Sequence, residues 1–115
     1  MSYTKTMGYK LELEAMILGA LQNGPLHGYR ILQSIETKGE GLLKLGDNQI
    51  YPLLHRLELA GLVEAEWQPQ EGKPARKVYA LTGSGHARLA DHQKDWGRYA
   101  AVFSSLIGQK EVPNV

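Results

Sequence analysis

Apolar side chains recur every three or four residues in three segments of the first 60 residues, which is the spacing of one face of an α-helix. The segments cover about residues 10–22, 27–37 and 48–60, and a glycine follows each of them within two residues. In the third segment the apolar stripe has four members: Ile50, Leu53, Leu54 and Leu57. Asp47 or Asn48 is expected to cap this third helix, with Pro52 about one turn inside. The pattern therefore predicts three short helices, each with one face committed to a core.

After the third helix the apolar positions change to a period of two, which predicts β-strands. Val63, Ala65 and Trp67 alternate with polar residues, and the alternation resumes over residues 76–81. The connecting sequence is PQEGKP, whose prolines and glycine favour the exposed tip of a hairpin. Residues 39–46 contain three leucines but are too few for a helix, so we expect at most a short strand there, beside the hairpin.

A longer helix is predicted after the hairpin, from a cap at Thr82 to about Ile107. About 25 residues at a rise of 1.5 Å make a rod of roughly 38 Å, which is longer than a domain built on the preceding part of the chain can cover. Apolar and aromatic residues follow a nearly heptad pattern along it: Leu89, His92, Trp96, Tyr99, Phe103 and Leu106. We predict that the same helix of a second copy covers the distal half. The alternative is a helix that bends at Gly97 and folds back over its own core.

Together these elements give a mainly α fold with a small β-hairpin wing. Residues 8–82 are predicted to form a winged helix-turn-helix domain, and residues 83–108 a long C-terminal dimerisation helix within the same compact unit. The termini, residues 1–7 and 109–115, are expected to be flexible. A chain of 115 residues with 43% hydrophobic content suffices for one core, so any function must be built on that single domain.

The composition argues against several kinds of site. The chain has no cysteine, so it forms neither a disulfide nor a thiolate metal site or nucleophile. Its histidines are scattered without carboxylates at metal-ligand spacing, and no nucleophile elbow, HExxH motif or phosphate loop is present. We therefore expect no enzyme, no metal and no other cofactor. No apolar run approaches the roughly 20 residues of a membrane span, and the N-terminus lacks a signal-peptide pattern, so a cytoplasmic location without membrane contact is expected.

The polar face of the third helix carries side chains suited to base edges and phosphate oxygens: Asn48, Gln49, Tyr51, His55 and Arg56. The net charge is only +1, but basic side chains cluster in the hairpin and one more lies in the leader: Lys73, Arg76, Lys77 and Lys5. A helix followed by such a wing predicts binding to double-stranded DNA, and a twofold dimer would read a palindromic operator with half-sites roughly 34 Å apart. Two alternatives stay open. These groups face water only, or the winged helix binds an acidic protein without specific DNA binding.

Three segments in this order resemble the PadR-like family of winged-helix transcriptional regulators. They are PLHGYRI at residues 25–31, IYPLLHRLELAGLV at residues 50–63 and GKPARKVYALTGSG at residues 72–85. The resemblance implies a dimeric repressor whose helix at residues 48–58 enters the major groove while the wing touches phosphate or the minor groove. It also implies an effector, often a phenolic or planar aromatic compound, that alters operator binding. The single C-terminal helix is similar to the shorter subgroup, which includes multidrug-sensing members.

The same resemblance implies a role for Trp96. In the drug-sensing members a tryptophan on the last helix lines a cavity at the dimer interface and stacks on flat ligands. A ligand site is therefore expected around Trp96, with His92, Tyr99 and Ala100 beside it. A plain interface anchor is the alternative, because tryptophan is enriched at protein contacts without any ligand. An acidic group one turn later would favour cationic ligands, and Ala100 stands there instead.

Overall fold

The four helices and the hairpin follow one another in the predicted order, and the structure adds one short strand between the first two helices. The structure, a computed structural model, describes residues 12–43 and 45–108. Residues 12–20 are helical and form α1. The elements that follow are β1 (Leu26–His27), α2 (Gly28–Lys38), α3 (Asp47–Leu59), β2 (Val63–Gln70), β3 (Lys73–Leu81) and α4 (Gly83–Ile107). The predicted fold class, a winged helix-turn-helix with a long C-terminal helix, is confirmed. The predictions for Lys5 and for both termini lie outside the described residues.

The sheet has three antiparallel strands in the order β1–β3–β2. β2 and β3 form the predicted hairpin. The third strand is β1, in which Leu26 pairs with Tyr79 and His27 pairs with Val78. The described residues of the loop, 39–43 and 45–46, contain no strand, which agrees with the expectation of at most a short one there. β1 occupies the second edge of β3, so the loop has no place beside that strand.

A single apolar core lies between the helices and the inner face of the sheet. On α3 the predicted stripe is confirmed, because Ile50, Leu54 and Leu57 are buried and Leu53 is half-buried against them. Full burial of one such side chain contributes about 1.5–3 kcal/mol relative to exposure. These contacts fix the rotation of α3 about its axis, so the opposite face of the helix is held toward solvent.

The start of α3 differs from the prediction. The N-cap residue is Gly46, and Asp47 is already the first helical residue, so neither Asp47 nor Asn48 is the cap. The side chain of Gln49 reaches back instead, and its Oε1 accepts a hydrogen bond from the Gly46 N–H at 3.0 Å. A glutamine three residues after the cap satisfies one of the backbone N–H groups that a helix start leaves without a partner.

The last helix, α4, is unbroken and extends beyond the core. The Thr82 hydroxyl caps it, accepting from the Gly85 N–H at 3.0 Å and donating to the Gly61 carbonyl at 2.7 Å. Leu89 is its last buried residue, and the helix continues through Gly97 without interruption. The described part of the chain measures 55 × 27 × 27 Å, so the alternative of a helix folded back over its own core is excluded. Within residues 12–43 and 45–108, no helix has the length and apolar character that a membrane crossing requires.

Candidate nucleic-acid interface

The face of α3 opposite the core carries the polar side chains that the sequence indicates. Asn48, Tyr51, His55 and Arg56 are all exposed. Gln49 is half-buried, and its carboxamide oxygen accepts the Gly46 N–H. Four of the five predicted side chains are therefore presented to solvent along α3, while Gln49 shapes the first turn of the helix.

Tyr51 packs its ring against the start of α2. A Cβ atom placed on the buried Gly28 would lie 2.4 Å from Tyr51 Cε1, so any side chain at that position would displace the ring. Burial raises the pKa of the Tyr51 hydroxyl above its ordinary value, and the Asp47 carboxylate raises this pKa further. The phenol therefore stays protonated and keeps a hydrogen-bond donor for an acceptor such as a phosphate oxygen. Sequence reasoning missed Gly28, although a glycine at a helix start is a recognisable sign of close approach.

The three hairpin cations have different surroundings. Lys73 and Arg76 are exposed, and among the described residues neither forms an ion pair. Lys77 Nζ lies 3.0 Å from Glu58 Oε1 of α3 and 5.5 Å from the ring centroid of Tyr79. The hydrogen bond to Glu58 is the main cause that raises the pKa of Lys77. Lys77 therefore ties the hairpin to α3, whereas Lys73 and Arg76 are the hairpin cations that can accept an outside anion.

A shallow cleft of about 400 Å³ lies between the start of α2 and the hairpin. Its polar lining consists of His27, Arg30, Gln68 and Arg76. Burial lowers the pKa of His27 below its ordinary value, and the positive charges of Arg76 and Arg30 lower this pKa further. Sequence reasoning missed His27 and Arg30 as site residues, because only the pairing of β1 with β3 brings them to Arg76.

The distal half of α4 carries a ladder of aromatic rings. The ring centroids of Trp96 and Tyr99 are 5.3 Å apart, and those of Tyr99 and Phe103 are 5.9 Å apart. The exposed fraction is 57% for Trp96, 57% for Tyr99, 49% for Phe103 and 78% for Leu106. Ala100, within the same turns, is half-buried. A contiguous exposed apolar surface of this kind is typical of an interaction site.

The first two positions of the predicted heptad pattern face the protomer itself. Leu89 lies in the hydrophobic core, and His92 Nε2 shares the Glu14 Oε2 atom of α1 with Arg88. This placement removes Leu89 from the predicted dimer interface and engages His92 with Glu14 instead of a ligand. A heptad count misses this because it does not show where along a helix the contacts with its own domain end. The exposed pattern begins only at Trp96.

Comparison with known proteins gives one consistent family. The model of the transcriptional regulator PadR-like family matches residues 17–91. The chain is 31% identical over 113 residues to the negative transcriptional regulator PadR of Bacillus subtilis, covering 90% of this chain and 62% of that protein. It is 32% identical over 78 residues to the transcriptional regulator Rv3488 of Mycobacterium tuberculosis, covering 68% of this chain and 69% of that protein.

Solved structures agree with these sequence matches. A PadR-like transcriptional regulator from Bacillus cereus has a TM-score of 0.73 at 27% identity, covering 86% of this chain and 93% of that chain. Bacillus subtilis PadR, solved in complex with operator DNA, has a TM-score of 0.66 at 30% identity, covering 87% of this chain and 61% of that chain. The chain thus spans less than two thirds of PadR itself. The family match over residues 17–91, on a winged helix with these contacts, shows that the chain belongs to the PadR-like family of transcriptional regulators.

Proposed function

We propose that this chain is a homodimeric, sequence-specific DNA-binding repressor that acts in the cytoplasm. Its family consists of transcriptional regulators and not of enzymes. The observation that carries the proposal is the exposed polar face of α3 beside two hairpin cations, Lys73 and Arg76, that form no ion pair with any described residue. The similarity to PadR, whose structure was solved with operator DNA, supports the same geometry here.

In this proposal α3 enters the major groove and reads base edges. Arginine pairs well with guanine and asparagine with adenine, so Arg56 and Asn48 are the proposed base readers, with His55 beside them. The Tyr51 phenol lies near the start of α3 and donates to a flanking phosphate, while Gln49 holds the backbone that presents these groups. Lys73 and Arg76 contact phosphates and add affinity without sequence preference.

The dimer forms through the aromatic ladder of α4. The proposed seam consists of Trp96, Tyr99, Phe103 and Leu106. A second copy packed on this seam would remove these side chains from water. The proposal requires a twofold axis that brings the two α3 helices to the same side of the assembly. Half-sites about one DNA turn apart, roughly 34 Å, are the geometry that such a pair reads.

A flat aromatic effector is proposed at the same seam. The side chains of Trp96 and Tyr99 are exposed even though the two rings stack on each other, so a planar molecule can extend the stack at Trp96 when two ladders meet. Ala100 brings no charge, and His92 is paired with Glu14, so stacking and not charge attraction selects the ligand. Such a ligand changes the affinity for the operator only if it binds the operator-bound arrangement of the dimer and the free arrangement with different affinities. The likeness of this site to the multidrug-sensing subgroup is part of the same proposal.

DNA reading is tested by selecting bound fragments from random duplexes. The expected result is a palindrome whose half-sites lie one turn apart. Asn48→Ala should lower affinity for the selected duplex by about tenfold or more, and it should change binding to unrelated duplex little. Arg98→Ala, at an exposed position on α4, is the matched control and should leave both affinities unchanged. Enrichment of no sequence at all would contradict specific reading.

The seam is tested by sedimentation of two variants with the same added charge. Phe103→Glu places a carboxylate within the aromatic ladder and should convert the dimer to a monomer at micromolar concentration. Ala101→Glu adds the same charge at an exposed neighbouring position outside the ladder and should leave the dimer intact. A parent protein that sediments as a monomer would refute the dimer while leaving the family assignment in place.

The effector site is tested by quenching of tryptophan fluorescence with acridine orange, a cationic planar dye, and with anthraquinone-2-sulfonate, an anionic one. Both should quench Trp96 with affinities within a few-fold of each other, because no charged group is proposed to select them. Trp96→Phe should abolish the effect and Trp67→Phe should retain it. Quenching that survives Trp96→Phe would place the dye elsewhere.

A further inference from the structure

The lining of the cleft beside the hairpin contains three basic side chains and, among the described residues, no acidic one. Arg30 comes from α2, Arg76 from β3 and His27 from β1, and all three line the same space of about 400 Å³. Gln68 adds an amide opposite Arg76 across the hairpin. Three elements of the fold thus bring basic side chains to one cleft. A bound anion would reduce the repulsion between their positive charges.

Within residues 12–43 and 45–108, these two arginines have no ion-pair partner. The ion pairs of that part of the chain join Lys77 to Glu58, and Arg88 and His92 to Glu14. Arg30 and Arg76 are both exposed, and both act electrostatically on His27. Two guanidinium groups near one imidazole repel a further positive charge, and no ion pair of the described residues neutralises the two arginines.

The strand register explains why His27 and Arg76 share a surface. His27 is opposite Val78, and opposite residues of an antiparallel pair project on the same side of the sheet. Arg76 lies two residues from Val78 on β3, so its side chain leaves the sheet on that side too. Lys77 projects from the other side, where it meets Glu58 of α3. The cleft is therefore separate from the Lys77 contact.

The start of α2, which lies beside the cleft, also contacts α3. Gly28 follows His27 in the chain, and Tyr51 of α3 packs on Gly28. A strand of nucleic acid that touches the exposed start of α3 therefore passes the start of α2 next. A phosphate group suits this place, since guanidinium groups bind phosphate oxygens through paired hydrogen bonds.

We infer that this cleft binds one phosphate group of the duplex backbone, held by Arg30 and Arg76 with His27 as a third, protonated donor. The inference rests on the proposed DNA-binding function and deepens it. An inorganic phosphate ion presents the same chemistry, and the duplex is the favoured source because Gly28, next to His27, contacts Tyr51 of the proposed recognition helix. The phosphate contact fixes where the hairpin and α2 lie on the backbone, and it carries no sequence information.

Proton uptake accompanies this binding. In the free protein, burial and the two arginines hold the pKa of His27 below its ordinary value, so the ring is neutral near pH 7. A phosphate adds negative charge beside the ring, which raises the pKa of His27 and favours protonation. Glu66 is opposite Val78 on this same side of the sheet, and among the described residues it forms no ion pair. Duplex affinity should therefore rise as the pH falls from about 7.5 to 6.

The first test measures the salt dependence of binding to a fluorescent 30-base-pair duplex of mixed sequence. Neutralising one phosphate contributes about 0.9 to the slope of log affinity against log salt. Arg30→Gln and Arg76→Gln together should lower the slope by about 0.9 for each protomer, because both hold one phosphate. Arg98→Gln, the matched control on α4, should leave the slope unchanged. Circular dichroism melting confirms that the variants are folded.

The second test follows the His27 imidazole by NMR during a pH titration. Adding the duplex to the parent protein should raise the pKa of His27, and His27→Gln should remove the gain in affinity at low pH. An unchanged salt slope in the double arginine variant, or a His27 resonance that responds to millimolar inorganic phosphate and not to duplex, would overturn the inference. If the parent binds duplex with a normal salt slope in that case, DNA binding stands and only the cleft fails. A parent that binds no duplex would sink the proposed function as well.

Discussion

Removing the Thr82 hydroxyl should destabilise the junction between the hairpin and α4. This hydroxyl is used twice, since it accepts from the Gly85 N–H at 3.0 Å and donates to the Gly61 carbonyl at 2.7 Å. It thereby joins the turn after α3, the end of β3 and the start of α4. Thr82→Ala removes both hydrogen bonds at once, and Thr82→Ser keeps both.

The two hydrogen bonds differ in what their loss costs. Loss of a helix cap typically costs about 1 kcal/mol of folding free energy. The bond to Gly61 is exposed, so water replaces it and its loss adds only about 0.5 kcal/mol. Thr82→Ala should therefore lower the free energy of unfolding by about 1.5 kcal/mol, and Thr82→Ser by less than about 0.5 kcal/mol.

Urea denaturation followed by circular dichroism measures both variants. The protomer concentration must be equal in every sample, because the stability of an oligomer depends on concentration. A serine variant as unstable as the alanine variant would show that the lost methyl group matters and the hydroxyl does not. An alanine variant as stable as the parent would refute the capping argument altogether.

Three further predictions concern single positions. Gly85→Ala should lower the free energy of unfolding by about 1–3 kcal/mol in urea denaturation, because its Cβ would lie 2.0 Å from the Leu62 carbonyl oxygen. Gly97→Ala should stabilise α4 slightly, because among the described residues its Cβ would meet no atom within 4 Å beyond the adjoining helix backbone. Lys77→Gln should leave the salt slope of duplex binding nearly unchanged, because Glu58 already neutralises Lys77. Lys73→Gln should lower that slope, and equal slopes in the two variants would contradict these assignments. The pKa of His27 is lower in the folded protein than in the unfolded chain, so the unfolded chain takes up the proton first as the pH falls through about 6.5. The parent should therefore lose stability relative to His27→Gln between about pH 7.5 and 5. If the free energy of unfolding of the parent and of His27→Gln varied with pH in the same way, the lowered pKa of His27 would be contradicted.

Local patterns predicted those parts of the fold that depend on neighbouring residues. The stripe of Ile50, Leu54 and Leu57 and the length of α4 follow from periodicity, which the chain itself carries. β1 is only two residues long and forms because Val78 and Tyr79 lie beside it, so its own sequence holds little sign of it. From the sequence alone, a strand this short cannot be distinguished from the first residues of the helix that follows it.

The candidate site divides in the same way. Asn48 and Arg56 are exposed as predicted, since the buried stripe of α3 determines the opposite face. Lys77 was expected to meet phosphate, but its partner Glu58 lies 19 residues earlier, on another element. Such pairings depend on the packing of whole elements and leave no periodic signal. The same limit hid the contact of His92 with Glu14, which lie 78 residues apart.

The carboxylate of Glu14 gives α4 the mechanics of a lever. Arg88 and His92 on the first turns of α4 both contact Glu14 on α1, so α4 and the winged-helix domain are expected to move as one rigid body. From Leu89 to Ile107 the arm is about 27 Å long at 1.5 Å per residue. A pivot of about 5° at the aromatic end would then move the clamped end by about 2 Å. In the proposed dimer, a flat ligand that changed the crossing angle of the two α4 helices by a few degrees would therefore change the separation of the two α3 helices by an amount that matters for operator binding.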